Sequence, residues 1–400
     1  MLPLKLRLLK HLDRYVGRVL VRHMRPRVAG LLARGAASTS WETRPVPVAD
    51  VRRILVIRPG GIGDAVLMFP MVRALRDHFH GATIDVLGER RNASLYRINN
   101  WVDTTFTYDI RPWSLRNLQQ RGYDLIVDTE QYHHLPVILA NSLGPKYLCG
   151  FDTWGRGRFQ THRVRYSEQT YEAYSFLNLA SAVIGEAQAF DPDAPFLEID
   201  QCWKAWARAQ LPAGDRPLAA IVPTASSEHR FWPPARYAAV ARWLVEHGYH
   251  VVILGGKDAV PAARRILAGF AAGDVSDLAG GTSLPQAAGV VSRAALYISA
   301  DTGMLHIAYG AGTPTVHMFG SGIQEKWAPP GRRYLVVNKQ LPCSPCTRYG
   351  YTPPCLYHVA CMDAIRVPDV IFAIERTLEA CQTQNAMTRI TMPLGTARMG

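Results

Sequence analysis

The stretch IRPGGIGDAVLMFP, residues 57–70, places Gly60, Gly61 and Gly63 ahead of Asp64, between an apolar run and a helix-like one. A glycine-rich turn opening a helix ordinarily cradles a phosphate on free backbone N–H groups. Asp64 would repel that phosphate. Its carboxylate suits a different task, taking a proton from a bound hydroxyl, although capping the helix remains an alternative reading. In this turn the glycines let a ligand come close to the backbone.

Two further loops carry anion chemistry. SADTGMLHIAYGAGTP (299–314) sets Asp301 at a strand end, Thr302 and Gly303 at a helix start, and His306 one turn on. The first N–H groups of a helix lack internal partners and carry partial positive charge, which suits a diphosphate. The alternative is an ordinary capping Asp301 with His306 in the core. In PTASSEHRFWPPARY (223–237), Ser226 and Ser227 can donate to phosphate oxygens and Arg230 can bind them bidentately. A surface loop whose arginine faces water is the alternative there. His133 and His134 follow another strand end, placed either to contact an acceptor's hydroxyls or to sit on a solvated helix start.

Four thiols form a separate group. CSPCTRYGYTPPCLYHVAC puts Cys343, Cys346, Cys355 and Cys361 within one segment, while Cys149, Cys202 and Cys381 are scattered. In a reducing compartment such a cluster reads as a tetrahedral thiolate site rather than as disulfides. Spacing does not choose between structural zinc and iron, and reduced cysteines in a loop are the alternative. The segment has aromatic residues but Arg348 as its one cation, too little charge for a zinc-ribbon nucleic-acid binder.

These residues need strand ends to hold them. Apolar strands at 52–59, 82–89, 104–110 and 125–130 alternate with helical spacing, notably over 64–78, and Pro70 predicts a kink or late start there. The scheme returns with strands at 218–224, 250–256, 296–301 and 313–320 and helices near 234–247, 259–271 and from 302. The expected architecture is α/β: two Rossmann-like domains facing each other across a cleft, joined around 190–216. In such sheets ligands lie beyond the carboxyl ends of the strands, where the loops named above fall. The division is a basic segment and linker (1–48), a first domain (49–205), a second with the cysteine cluster (206–381) and a tail (382–400).

Charge singles out the N-terminus. The net charge is +13, and residues 1–45 hold ten Lys or Arg against Asp13 and Glu42. Arg7, Lys10, Arg14, Arg18 and Arg22 recur at helical steps opposite Leu8, Leu9, Leu12, Val16, Val19 and Leu20. An amphipathic helix of this kind lies on an anionic membrane surface through residues 1–34, or docks on the protein's own body or a second subunit. Without a spanning apolar run of roughly 18 residues or a signal peptide, the expected location is cytoplasmic, peripheral to the membrane. The mildly basic remainder gives no nucleic-acid footprint.

ILVIRPGGIGDAVLMFPMVRALR, SSEHRFWPPARY, LAGGTSLPQAAGVV and DTGMLHIAYGAGTPTVHMFG, in that order, resemble the heptosyltransferases of glycosyltransferase family 9, over about residues 52–375. The resemblance implies a GT-B fold, an inverting and metal-independent transfer, and an ADP-heptose donor. The acceptor is a lipopolysaccharide core held mainly by the N-terminal domain. It implies Asp64 as catalytic base. Ser226, Arg230, Asp301, Thr302, Gly303 and His306 then serve as donor-binding residues, with Asp258 in the place of a donor-contacting acid. Arg230 departs from the family, where Lys is typical. The acceptor side is Gly60, Gly61, Gly63 and His133. The chemistry needs no cofactor, and similar cysteine clusters hold iron in some relatives. Alternatives are the same chemistry on a protein, another polysaccharide or a small molecule, and a non-catalytic sugar-nucleotide binding module. An oligomer is left open.

Overall fold

The computed structural model describes residues 13–29, 44–108, 114–212, 214–225, 227–271, 273–348 and 351–391. At its N-terminal end a wide turn (Asp13–Gly17) leads into helix α1 (Arg18–His23), and the chain then runs extended. The first sheet comprises β1 (Arg53–Ile57), β2 (Thr83–Gly88), β3 (Thr104–Thr107), β4 (Leu125–Asp128), β5 (Tyr147–Phe151) and β6 (His162–Val164). Its helices include α2 (Ile62–Leu67), α3 (Phe69–His78), α4 (Leu135–Ser142) and α5 (Glu172–Ile184). The second sheet comprises β7 (Leu218–Val222), β8 (His250–Ile253), β9 (Val275–Asp277), β10 (Leu296–Ala300), β11 (Thr315–Met318) and β12 (Tyr334–Val337). With it go α6 (Gln201–Gln210), α7 (Leu284–Val291), α8 (Gly303–Gly310) and α9 (Gln324–Trp327).

Both six-stranded sheets are parallel, in the orders β3-β2-β1-β4-β5-β6 and β12-β11-β10-β7-β8-β9. Each is a doubly wound Rossmann arrangement, so the expected pair of Rossmann-like units is observed. Central strands such as RILVI and LAAIV are apolar at nearly every position because helices cover both faces of the sheet. The predicted strands are present. Four others lacked a readable pattern: β5 contains Gly150, β6 and β9 have three residues each, and β12 has four. The second sheet runs past the 313–320 strand, with β12 pairing beyond β11. The helix after β1 breaks at Met68, which ends α2 and caps α3, with Pro70 in the first turn of α3. There its missing N–H costs no bond.

One apolar cluster runs through both halves, from Val56, Phe69 and Phe176 to Leu305, Tyr309 and Tyr334. Tyr309 makes edge contacts with Tyr171, Phe190 and Phe196, at ring separations of 6.1, 6.5 and 5.3 Å. The halves therefore share one apolar interior.

The described part of the basic segment docks on the first half. Asp13 is buried and accepts N–H groups from His134 (2.8 Å) and Leu135 (2.5 Å), the orphan donors at the start of α4. Arg158 donates to the carbonyls of Val21 and Arg22, Asn141 pairs with the backbone of Arg25 and Arg27, and Val21 and Val28 are buried. The opposite side leaves Tyr15, Val16, Val19 and Leu20 exposed. The helix expected to run continuously through Arg22 is α-helical here over Arg18–His23; residues 1–12 and the linker through 43 lie outside the described residues. Among the described residues no helix is long and apolar enough to cross a membrane.

The partners of Asp13 hold its carboxyl well below its usual range against the opposing effect of burial, chiefly His133 and His134 with the α4 amides. Asp13→Ala is expected to cost about 1–3 kcal/mol in urea unfolding at neutral pH, because it orphans these donors. A depressed folded-state pKa stabilises above the unfolded value. The gap between the two proteins should therefore shrink as pH falls below about 4.

Candidate functional site

In each sheet the strand order reverses between two central strands, β1/β4 and β7/β10, and the crevice beyond their ends is where such folds bind ligands. Beyond β1 and β4 lie Gly60–Asp64 and Glu130–His134; beyond β7 and β10 lie 223–230 and 301–303. Topology thus accounts for the gathering of loops that are distant in sequence.

In the first half Gly60 takes φ +112°, a conformation suited to glycine, and its N–H donates to the buried Glu89 (3.0 Å). Gly61 caps α2, Gly63 follows, and Asp64 stands in the first turn with its carboxylate partly exposed to the cleft. Beneath it Arg58 is buried. It donates to the carbonyls of Pro59 (2.7 Å) and Thr129 (3.0 Å), lies over the Phe176 ring and reaches within 3.7 Å of Asp64. The β1–β4 register, Ile57 opposite Asp128, sets Arg58 beside Thr129.

In the second half Asp301 directly follows β10, Thr302 caps α8 by accepting the Leu305 N–H (3.3 Å), and Gly303 opens the helix. Arg230, in a short helical turn, pairs with Asp301 at 3.1 Å. His306 is buried, and its Nδ1 has no hydrogen-bond partner among the described residues. Burial lowers its pKa to about 4, although the charges of Asp301 and Asp64 pull upward. At neutral pH it is an uncharged imidazole.

The two loop systems touch. A Cβ on Gly63 would lie 2.6 Å from the His306 ring, and a Cβ on Gly303 would lie 2.7 Å from Ile62 Cβ and 3.2 Å from the Gly63 nitrogen. The starts of α2 and α8 meet glycine to glycine. Asp64 and the Thr302–His306 loop consequently face one cleft.

Sequence reasoning missed the buried charges behind Asp64. Glu130 accepts the N–H groups of Gln131, Tyr132 and His133. Burial raises the pKa of Glu130, but His133, Arg58 and Arg156 outweigh it and hold the group low. Arg156 and Asp128 form a fully buried pair at 2.6 Å. Glu172, at the start of α5, pairs with Lys326 of α9 across the two halves and also binds Gln131 and Tyr166. Burial raises the Glu172 carboxyl above its usual range and lowers the Lys326 ammonium, each against the pull of its partner. The residue types gave no motif; the one available signal was that 320–327 follows a strand end.

Other expected residues fall as follows. Ser226 lies outside the described residues, while its neighbour Ser227 caps the turn carrying Arg230. Asp258 is exposed in a short turn beyond β8. His133 sits at the start of α4 with Nδ1 3.2 Å from Asp13, so the docked N-terminal segment engages it. The expected tetrathiolate is not assembled. Among the described residues no group of three or more His, Cys, Asp or Glu side chains is set to hold a metal. Cys343, Cys346, Cys355 and Cys361 share a neighbourhood, and burial followed by mutual repulsion raises the Cys346 thiol. However, Cys361 is buried in the apolar cluster beneath Gly320, and Cys355 Sγ accepts the Val359 N–H at 3.3 Å.

Comparison with known proteins gives a consistent picture. The family model "Glycosyltransferase family 9 (heptosyltransferase)" matches residues 113–356. Lipopolysaccharide heptosyltransferase 2 of Salmonella typhimurium is 30% identical over 307 residues, covering 71% of this chain and 87% of that protein. Lipopolysaccharide heptosyltransferase 3 of Escherichia coli is 25% identical over 293 residues, covering 67% and 83%. Among solved structures, the E. coli ADP-heptose lipopolysaccharide heptosyltransferase II superposes with TM-score 0.66 at 20% identity, covering 82% of this chain and 99% of that one.

Because a methyl group does not fit between the helix starts, Gly303→Ala should part the two halves. The expected result is a larger radius of gyration in small-angle scattering and faster hydrogen exchange over 60–66 and 301–306. Unchanged scattering and exchange would show that the contact yields freely.

Proposed function

The chain belongs to glycosyltransferase family 9, the heptosyltransferases, and from that premise we propose that it moves a heptose from ADP-heptose to a lipopolysaccharide-core acceptor, with inversion and without a metal. The carrying observation is the glycine-to-glycine contact that turns Asp64 and the Asp301–His306 loop toward one cleft. The relatives' names, lipopolysaccharide heptosyltransferases 2 and 3, support the choice of sugar and acceptor. We assign residues 49–205 to the acceptor and 206–381 to the donor.

In this mechanism the donor diphosphate lies at the start of α8, on the free amides of Thr302 and Gly303. Arg230 bridges it to Asp301, the carboxylate with which it pairs in the structure. These donors are fixed before the reaction and stabilise charge as it gathers on the leaving ADP. Neutral His306 adds a polar contact without a second cation. Asp64 receives the proton of the acceptor hydroxyl as that oxygen attacks the anomeric carbon from the face opposite the diphosphate. Arg58 holds the carboxylate in place from below. Guanidinium is planar where the family's usual lysine is a point charge, so Arg230 grips the diphosphate with two parallel N–H groups.

The acceptor's lipid places the reaction at the cytoplasmic membrane face. The docked segment 13–23 supports this: Tyr15 and Val16 in the wide turn and Val19 and Leu20 in α1 are exposed beside Arg18 and Arg22, the composition of a segment resting in a headgroup region.

Asp64→Ala should lower heptose transfer to lipopolysaccharide from a heptose-deficient strain by about 10²–10⁴-fold. ADP affinity by calorimetry should stay within a few-fold of wild type. Retained turnover would remove Asp64 as the base. Replacing Val16, Val19 and Leu20 together by Asp should abolish co-sedimentation with phosphatidylglycerol-containing vesicles while leaving transfer to detergent-solubilised acceptor intact. Unchanged sedimentation would exclude this face as the membrane contact.

A further inference from the structure

Lys326 belongs to the second half, in the loop system after β11, yet its ammonium is buried in the first half. There it ties one turn together. It donates to the carbonyls of Ser167 and Thr170 (both 2.9 Å) and to Ser175 Oγ (3.2 Å), pairs with Glu172, and lies 4.2 Å from the centre of the Tyr166 ring. A lysine with both its charge and its donors satisfied by another folding unit is costly to bury unless every partner is in place.

The turn it gathers is a wall of an open cavity of about 450 Å³, formed by residues 166–169 on one side and by Tyr132 and Trp154 on the other. Tyr132 binds Glu168 (3.0 Å) and Tyr166 (3.4 Å) through its hydroxyl, joining the two walls. Trp154 takes φ +52°, a left-handed conformation unusual for an aromatic residue, and is 53% exposed. The Arg18 guanidinium lies over this ring at 5.3 Å, and the ring shares the cavity lining with a tyrosine, a carboxylate and an amide. Such a set suits a sugar: rings cover its C–H faces and polar groups bind its hydroxyls. Tyr166 links this cavity to the buried ion pair between the halves, since its hydroxyl and Lys326 share Glu172. On the other side, Lys326 follows the loop in which Gly322 packs against the Asp301 carboxylate.

We propose that Lys326 is a positioning residue through which the donor half builds the acceptor pocket: by gathering the 166–175 turn it sets the wall formed by Tyr166, Glu168 and Gln169, against which an acceptor sugar binds. This rests on the assignment of the first half to the acceptor. Lys326 touches neither substrate. It acts through the turn, so acceptor recognition depends on the two halves being in register.

The test uses the full-length protein, with ADP as donor-site probe and lipopolysaccharide from a heptose-deficient strain as acceptor. Lys326→Met keeps the apolar stem and removes the charge. The double variant Lys326→Met/Glu172→Gln also removes the carboxylate left behind. In both, KM for the acceptor should rise at least tenfold while ADP affinity stays within twofold, and amide exchange over 166–171 should quicken at least tenfold with that over 301–306 unchanged. An unchanged acceptor KM, or a double variant that restores it to wild type, would overturn the proposal, the latter by showing that the defect lay in the unpaired carboxylate. The exchange measurement needs no acceptor. If wild type fails to transfer heptose, the functional reading falls, and protection of 166–171 still decides the role of Lys326 in holding the turn.

Discussion

Two helix starts meet where neither carries a side chain. Gly63 on α2 and Gly303 on α8 approach so closely that a Cβ on the first would run into the His306 ring and a Cβ on the second into Ile62. The helices bring the free N–H groups of their first turns to the same cleft, and the residues next in sequence, Asp64 on one side and Thr302 on the other, are thereby opposed. Glycine at these positions serves contact between two halves as much as turn geometry. Removing the side chains lets Asp64 and the Thr302–His306 loop, which belong to different sheets, come to one cleft.

Around that contact the protein buries charge in pairs. Arg156 with Asp128, and Lys326 with Glu172, lie in the interior behind the cleft, while Arg58 joins the carbonyls of Pro59 and Thr129 to the carboxylate of Asp64. Buried pairs of this kind contribute little net stability, since desolvation offsets most of their attraction. What they supply is geometry: each partner has one arrangement in which its charge is satisfied. His306 completes the pattern differently, burial favouring its neutral form one turn into α8.

Much of this was legible in the sequence, and for identifiable reasons. Apolar runs such as ILVI and LAAIV followed by glycine and a helical period marked the central strands, and the rule that ligands lie at strand ends then selected Asp64, Arg230 and Asp301. Short edge strands such as β6 and β9 escaped because three residues carry no period. The pairing of Glu172 with Lys326 escaped because it depends on how the halves pack, and neither residue sits in a recognisable motif. The N-terminal periodicity described a two-faced helix but not which face would dock; Asp13, an acid among cations, decides it by capping α4. For the four cysteines, spacing suggested a metal site, whereas among the described residues they are not arranged as one, and Cys361 lies in the apolar cluster.

The account requires the donor's diphosphate at the start of α8, with its sugar turned toward Asp64. The most direct measurement is a crystal structure with the 2-deoxy-2-fluoro analogue of ADP-heptose, chosen because the fluorine slows cleavage of the anomeric bond. The account predicts diphosphate oxygens on the amides of Thr302 and Gly303 and on Arg230, with the anomeric carbon facing the Asp64 carboxylate across a space for one hydroxyl. A diphosphate seated instead in the Gly60–Gly63 turn would contradict it.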